Sequence, residues 1–212
     1  NDGSVCIKAA YDSHKVNGRL TLTYNVAGDG EMRVVEHFDP YEGAEGQHMF
    51  RFGMRMGMPE AFETVEYYGR GPGENYIDRM EGMPLGLYRQ KVSEQPFAYI
   101  RPQETGTRSD LRWWRVLNNA GIGVEITASA PFSASALNYS IEQLDGGVDK
   151  ANIHWTELSP IKGTDLCFDL CQQGLACEDS WGAFPRPEYR MPYSSYTFRY
   201  TIRPVNNCYP VD

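Results

Sequence analysis

The sequence predicts an all-β protein, a large antiparallel β-sandwich. Three segments, residues 20–26, 52–58 and 196–202, alternate apolar and polar side chains with a period of two. This alternation is typical of strands with one buried and one solvated face. Turn-forming residues at 28–30 and 118–121 lie between such segments, as in β-hairpins. No long amphipathic helix is predicted, and many short strands favour a sandwich or a barrel.

Six more strands are predicted from shorter apolar or alternating runs bounded by turn residues. They are residues 5–11, 32–38, 62–68, 111–118, 121–128 and 167–170. Residues 140–144 are expected to form one short helical turn. The segments 69–110 and 145–165 lack a clear period, and long ordered loops in a β domain tend to bind ligands. We interpret residues 1–212 as a single domain.

Composition limits the classes of partner. Hydrophobic residues make up 41% of the 212 residues, enough for a sizeable core, and aromatic residues reach 13%, which suits both β-sheets and carbohydrate sites. The net charge of −8 argues against nucleic acid and anionic membranes as partners. No apolar run is long enough to cross a bilayer. The compartment is left open.

The five cysteines do not indicate a metal site. Cys167, Cys171 and Cys177 lie close together in the sequence, and the other two are Cys6 and Cys208. Their spacing differs from that of paired zinc knuckles, and no histidine lies nearby. We expect most of them to be small buried hydrophobic residues, and we predict no metal site.

Two polar loops contain many carboxylates and guanidinium groups. The first holds Glu74, Asn75, Tyr76, Asp78 and Arg79; the second holds Glu104, Arg108, Asp110 and Arg112. Arginine pairs with carboxylates in bidentate fashion, so we expect Arg108 and Arg112 to pair with acidic residues of these loops. The sequence therefore predicts a structural network that fixes both loops, with no catalytic residue among them.

Trp181 lies in a polar, Gly/Pro-rich segment, directly after Asp179 and Ser180. Such segments form surface loops that often carry function. An indole there offers a flat apolar face and an N–H donor to a sugar ring. The alternative, that Trp181 folds back and covers the edge of the sheet, is equally compatible with the sequence.

Three motifs together resemble one family. They are Tyr68-Gly69-Arg70-Gly71-Pro72 with Glu74-Asn75-Tyr76 and Asp78-Arg79, then Pro102-Gln103-Glu104 with Gly106, Arg108, Asp110 and Arg112-Trp113, then Asp179-Ser180-Trp181-Gly182. In this order they look like the C-terminal domain of the large bacterial β-galactosidases of glycoside hydrolase family 2. The resemblance covers about residues 50–203. It implies a supersandwich similar in fold to galactose mutarotase.

The resemblance also implies a role for each motif. Trp181 would reach into the active site of a neighbouring catalytic barrel and stack against a β-galactoside, with Asp179 and Ser180 shaping the loop. The motifs around Glu74 and Arg108 would be structural. The two catalytic glutamates, and the magnesium of the whole enzyme, would belong to other domains. We therefore expect no catalytic residue, cofactor or metal in this chain, and no activity from it alone.

Two departures from the family pattern affect these expectations. The family has a glycine-rich run before the tryptophan loop, whereas residues 173–178 here contain one glycine. The family domain also begins before the segment matched by Asn1, so some N-terminal strands are expected to be missing and one sheet edge to be unpaired.

Two other functions remain open from the sequence. A mutarotase-like aldose epimerase needs a general acid and a general base, for which His154, predicted to alternate with Ile153 and Trp155, is the best candidate acid. A stand-alone carbohydrate-binding module would use Trp181 and a second aromatic residue.

Overall fold

A computed structural model describes residues 3–46, 48–147, 154–175 and 182–206. Ten strands and one short helix make up its regular structure. The strands are β1 (Val5–Ser13), β2 (Gly18–Val26), β3 (Met32–Pro40), β4 (Arg51–Met58), β5 (Thr64–Arg70), β6 (Leu85–Lys91), β7 (Arg108–Leu117), β8 (Ile122–Leu137), β9 (Thr164–Gln172) and β10 (Tyr196–Asn206). The helix α1 is Ile141–Leu144, and single 3₁₀ turns occur at Val92–Glu94, Trp155–Glu157 and Pro187–Tyr189.

The long strand β8 divides an antiparallel sheet into two leaves. Its first part, residues 122–128, pairs with β10 and continues through β3 and β2 to β1. Its last part, residues 133–137, pairs with β9, which pairs with β4. On its other side β8 pairs with β7, followed by β5 and β6. The two leaves diverge from β8, and side chains fill the space between them.

Aromatic contacts join the two leaves. Phe168 of β9 meets Tyr200 of β10 edge to face at 5.1 Å between ring centroids, and Phe52 of β4 lies 5.6 Å from Tyr196 of β10. On the shared strands, Tyr67 stacks on the buried Trp114 at 5.0 Å. A core packed between two sheet layers defines a sandwich-like architecture.

The predicted class, all-β and antiparallel, is confirmed. All nine predicted strands are present, although their ends differ, and the hairpin turns at 28–30 and 118–121 join β2 to β3 and β7 to β8. The short helical turn is also present, capped by the hydroxyl of Ser140. The specific likeness to galactose mutarotase stays a prediction.

Two elements were missed in the sequence. Strand β6 lies in a segment interpreted as loop; its apolar residues Leu85 and Leu87 are exposed, so they do not give the pattern of a half-buried strand. The second half of β8 contains Pro131 and several Ala and Ser residues, which have low strand propensity. These small side chains fit where the leaves diverge.

Within the described ranges, no helix has the length and apolar character needed to cross a membrane.

Candidate functional site

Glu74 is the centre of the contacts in the first polar loop. Its side chain is 8% exposed and accepts hydrogen bonds from the backbone N–H of Gly106 at 2.7 Å and from the Thr105 hydroxyl at 2.9 Å. The Tyr99 hydroxyl and the Arg79 guanidinium donate to its other oxygen. Burial alone would raise the pKa of Glu74, but these donors together hold it below the ordinary value. Glu74 is therefore an ionised, fully partnered carboxylate.

Asn75 joins the first loop to β7. Its amide donates to the carbonyl oxygens of Arg70 and Gly73, each at 3.0 Å. Its side-chain oxygen accepts from the backbone N–H of Ser109 at 3.0 Å and from the Ser109 hydroxyl. Asn75 is fully buried, and these four bonds use all the hydrogen-bonding capacity of its amide.

Tyr76 and Glu104 connect the two loops. The buried Tyr76 donates its hydroxyl to Glu104 at 3.4 Å, and the Thr107 hydroxyl donates to the same oxygen at 3.0 Å. Burial, and then the nearby carboxylates, raise the pKa of Tyr76 well above its usual range. The Arg79 guanidinium lies over the Tyr76 ring, 4.8 Å from its centroid. The hydrogen bond from Tyr76 to Glu104 thus joins the two loops, and the cation–π contact stabilises Tyr76 within the first loop.

Arg108 differs from the expectation that it would pair with a carboxylate. Arg108 is 1% exposed. Its guanidinium donates to the carbonyl oxygens of Gly106 at 2.8 Å and Gln95 at 3.3 Å, and to the Tyr67 hydroxyl at 3.3 Å. The sequence prediction was wrong because the turn at Gly106 brings backbone carbonyls closer to the guanidinium than any acidic side chain of the described residues.

Asp110 lies in a bulge of β7, and its carboxylate contacts two arginines. The register of β7 against β8 shifts between Arg108 and Leu111, and Asp110 takes a positive φ of 57°. This conformation turns its carboxylate toward Arg112, as expected, and toward Arg70, whose Nε lies 3.2 Å away. A bulge of this kind redirects a side chain that a regular strand would hold elsewhere.

Asp78 lies against Gly174, two residues before the segment 176–181 that we call the tryptophan loop. A Cβ on Gly174 would come 2.5 Å from Oδ2 of Asp78, so only glycine fits there without displacing that carboxylate. Gly174 is the one glycine that residues 173–178 retain. The sequence reasoning placed Asp78 in the loop network but did not detect this contact.

Asp179, Ser180 and Trp181 lie outside the described residues. Hydrogen bonds tie the described chain before and after them. The N–H of Gln173 donates to Phe50, the N–H of Gly174 donates to Tyr189, both at 2.8 Å, and Arg190 Nε donates to the carbonyl of Pro185 at 2.6 Å. Gln173 and Gly174, which precede the tryptophan loop, are thus tied to Phe50 and to Tyr189, and Tyr189 follows the loop in sequence.

An exposed aromatic surface adjoins the end of the tryptophan loop. Phe184 and Phe50 are 57% and 72% exposed. The His48 ring lies 5.8 Å from that of Phe184, and the Arg190 guanidinium lies 5.6 Å from the same ring. His48, Phe50, Phe184 and Tyr193 border an open cavity of about 700 Å³. Sequence reasoning missed this surface, although Phe184 belongs to the same Gly/Pro-rich segment as Trp181.

His154 does not lie in a strand. It is exposed and precedes the 3₁₀ turn Trp155–Glu157, with its backbone N–H donating to Glu157 at 3.3 Å. The predicted alternation with Trp155 was therefore wrong, because a turn replaces the strand. The position of Ile153 lies outside the described residues. Among the described residues, His154 makes its hydrogen bonds with Glu157 of the same turn, which does not favour the epimerase hypothesis.

The free thiols described are Cys6, Cys167 and Cys171. Burial raises the pKa of Cys167 to about 12 and that of Cys171 to about 11, so both thiols are protonated. Cys167 is buried, Cys171 is partly buried and packs against the core, and Cys6 is exposed. The expectation of mostly buried cysteines is therefore met by one of the three described, because Cys6 lies on the exposed strand β1. Cys177 and Cys208 lie outside the described residues.

Comparison with known proteins identifies the class of this all-β chain. The profile of a family described as β-galactosidase small chain matches residues 1–202. The chain therefore belongs to the β-galactosidase small chain family.

Its relatives are β-galactosidases by name. The β-galactosidase of Lactobacillus delbrueckii subsp. bulgaricus is 37% identical over 191 residues, which cover 89% of this chain and 18% of that protein. That of Priestia megaterium is 34% identical over 185 residues, covering 87% and 17%. That of Vibrio cholerae is 32% identical over 195 residues, covering 92% and 18%. The chain thus spans less than a fifth of the length of these relatives.

Proposed function

We propose that this chain contributes a substrate-binding loop to a β-galactosidase that hydrolyses terminal β-galactosides. The observation that carries the proposal is the family match over residues 1–202, which includes Asp179, Ser180 and Trp181. The named relatives support the reaction, since each is a β-galactosidase. The partners of the chain would be the catalytic barrel and the β-galactoside.

In this proposal Trp181 binds the substrate by stacking. A pyranose ring has an apolar C–H face that packs on an indole, and the indole N–H reaches a hydroxyl at its edge. Asp179 and Ser180 shape the loop. The backbone hydrogen bonds from Gln173 to Phe50 and from Gly174 to Tyr189 support the proposal, because they fix the chain from which the loop extends and so lower the entropy lost when the loop meets substrate.

The carboxylates of the reaction would come from outside this chain. A retaining glycosidase needs an acid and a nucleophile with carboxyl groups about 5–5.5 Å apart and free to react. Glu74, the glutamate of the loop network with the most hydrogen bonds, accepts them from Gly106, Thr105 and Arg79, so its carboxylate is not free to react. We therefore propose that the isolated chain has no hydrolase activity.

The test is the steady-state kinetics of the whole enzyme with and without Trp181→Ala, on a nitrophenyl β-galactoside and on lactose. Loss of one stacking contact is expected to raise KM by about 3- to 10-fold, with a further fall in kcat if the contact strengthens in the transition state. Trp155→Ala is the matched control, since it removes an indole that packs on Tyr139 far along the sequence from the loop.

Equal kinetic effects of the two substitutions would contradict a specific role for Trp181. An active enzyme indifferent to Trp181→Ala would show that this chain is scaffold only. Hydrolysis by the isolated chain would contradict the proposal that the catalytic carboxylates lie elsewhere.

A further inference from the structure

A second cavity lies between the two leaves, on the side of β1 and β2. It has a volume of about 320 Å³, near the lower end of the range of about 300–1,000 Å³ for small-molecule pockets. Its walls are mainly apolar and include Leu20, Phe38, Met49, Phe52 and Met54. Glu36 also lines this cavity, and none of the functions discussed above uses it.

Glu36 is buried because of its position in β3. It alternates with Val34 and Phe38, which are core residues, and its register partners are Leu22 on β2 and Phe198 on β10. The residue is 3% exposed, and its Oε2 has no hydrogen-bond partner in the described part of the chain. A buried carboxyl oxygen without a partner is costly, so a glutamate that carries such an atom and lines a cavity calls for an explanation.

The charged groups around Glu36 do not compensate it. Asp169 on β9 lies opposite and is paired with Arg51 on β4, at 2.6 Å and 3.2 Å between nitrogens and carboxylate oxygens. Arg51 also contacts Glu104 at 3.4 Å, and Arg55 on β4 is bound by Asp165 and Glu142.

The other titratable groups around Glu36 are three tyrosines and a cysteine. Tyr24 on β2 and Tyr200 on β10 lie close enough for their charges to interact with that of Glu36, and Tyr11 on β1 and Cys167 on β9 line the same cavity. The pKa of Tyr24, of Tyr200 and of Cys167 is raised by burial. Arg51 and Arg55, the two arginines that line the cavity with Glu36, are both paired with other carboxylates.

The shape and polarity of the cavity restrict the ligand. A sugar has several hydroxyls that each need a partner, and apolar walls would leave most of them unpaired. Arg51, Arg55 and Asp169 also line the cavity, but they are ion-paired, so Glu36 is the carboxyl of this lining that has no ion-pair partner in the described structure. Its charge matches a single cation on an apolar stem, because the charge is paired once and the stem is desolvated. A lysine-like stem also packs well along thioethers and aromatic rings.

We propose that this cavity binds a primary ammonium group on an unbranched alkyl chain, with the ammonium at Glu36 and the alkyl chain against Leu20, Phe38 and Met54. An alkylammonium group of this kind can come from a free alkylamine or from the lysine side chain of a polypeptide. Tyr11, which is 54% exposed and lines the cavity, and Ile7, 52% exposed on the same face of β1, extend the apolar surface outward.

The proposal has a pH signature. Burial, and then the charge of Asp169, raise the pKa of Glu36 to about 7, whereas an alkylammonium keeps its proton up to about pH 10. Binding therefore requires Glu36 to release its proton below pH 7. The dissociation constant is expected to fall by up to about tenfold per pH unit as pH rises towards 7, and to level off above about pH 8.

The experiment is a titration of the full 212-residue chain with n-butylammonium, followed by calorimetry and by carboxyl NMR signals. Saturable binding in the millimolar range or tighter is expected, with n-butanol and Glu36→Gln each weakening it by roughly 30-fold. Glu60→Gln is the matched control, because Glu60 is exposed, and it should bind as the unsubstituted chain does. Nα-acetyl-lysine methylamide, tested alongside, separates the two sources. If it binds as tightly as n-butylammonium, the cavity accepts a lysine side chain; if it does not bind, the ligand is a free amine.

Absence of saturable n-butylammonium binding would overturn the proposal. So would equal affinity for n-butanol, or equal affinity of the Glu36→Gln chain once its NMR spectrum shows it folded. If Glu36→Gln fails to fold, the pH profile of the unsubstituted chain decides, since affinity that does not change between pH 5 and 8 would contradict a role for the titrating Glu36.

Discussion

Glu74 and Glu36 are both buried carboxyl groups, but the protein surrounds them in opposite ways. Glu74 receives hydrogen bonds from four different residues of two loops. Glu36 lies among apolar side chains and has an oxygen without a partner in the described structure. The pKa of Glu74 is lowered and that of Glu36 is raised to about 7.

The difference teaches that burial alone does not decide the state of a carboxyl group. Desolvation is the largest single influence on both groups, and taken alone it would raise both pKa values. The hydrogen-bond donors around Glu74 outweigh it, whereas Glu36 has no such donors among the described residues, so the number of donors decides whether the pKa ends up lowered or raised. A carboxylate with all its donors, like Glu74, holds loops together. A carboxyl without donors, like Glu36, costs stability unless a ligand supplies the missing charge.

The largest expected effect tests the Glu74 side of the comparison. Glu74→Gln removes the charge that Arg79 and the Tyr99 hydroxyl contact, and leaves donors facing an amide nitrogen. We expect the free energy of unfolding to fall by about 2–4 kcal/mol, measured by urea denaturation. Glu60→Gln, at an exposed position, is the control and should change it by less than about 0.5 kcal/mol. Similar small effects of both substitutions would show that the network is not structural.

The next effect concerns pH and Glu36. Because the folded chain raises this pKa from 4.5 to about 7, the folded state binds the proton more tightly than the unfolded state. The stabilisation from that proton is complete below about pH 4.5 and is lost as pH rises through 7. It amounts to roughly 3 kcal/mol.

Glu36→Gln isolates this contribution. The difference in unfolding free energy between the unsubstituted chain and Glu36→Gln should fall by that amount between pH 4.5 and pH 8. Groups such as Glu74, whose pKa is lowered, act in the opposite direction but are shared by both chains, so they cancel. A difference that does not vary with pH would mean that Glu36 is solvated or partnered.

A smaller effect is expected at the turn that delivers the Gly106 N–H to Glu74. Gly106 has a φ of 78°, and a Cβ there would come 2.6 Å from the Leu137 side chain. Gly106→Ala should cost about 2 kcal/mol. Gly82→Ala, where a Cβ meets nothing within 4 Å, should cost little. Thermal unfolding followed by circular dichroism compares them, and equal midpoints would contradict the proposed constraint.

The smallest effect is expected where a pair of the same network is exposed. Arg112 contacts Asp110 at the surface, so Arg112→Ala should change the unfolding free energy by less than about 1 kcal/mol. A loss as large as that of Glu74→Gln would show that exposure does not separate strong from weak members of the network.

The sequence predicted the strands better than the contacts. Period-two alternation identified β2, β4 and β10 because each has one buried face. It could not identify β6, because Leu87 of that strand is exposed. It could not identify the partners of Arg108 either, because the carbonyl acceptors of Gln95 and Gly106 come from a turn whose path no residue pattern specifies. Side-chain identity shows which groups can bond, but the backbone decides which of them meet.

The candidate site was predicted only in part. The motifs located the polar loops and the tryptophan loop, while the contact of Asp78 with Gly174 and the aromatic surface at Phe184 required the fold. One sequence feature indicated that Glu36 is buried. It lies two residues from both Val34 and Phe38 in β3, and residues two apart in a strand share a face. An acidic residue at a core position is a feature that the sequence does contain, although the cavity beside it is not.

The most direct test of this account is an NMR titration of the glutamate side-chain carboxyl carbons in the full chain, with Glu36→Gln and Glu74→Gln used to assign the two signals. The account predicts a midpoint near pH 7 for Glu36 and a midpoint below the ordinary value of 4.5 for Glu74. Two midpoints close to 4.5 would contradict it, because they would show that the two carboxyl groups have equivalent surroundings.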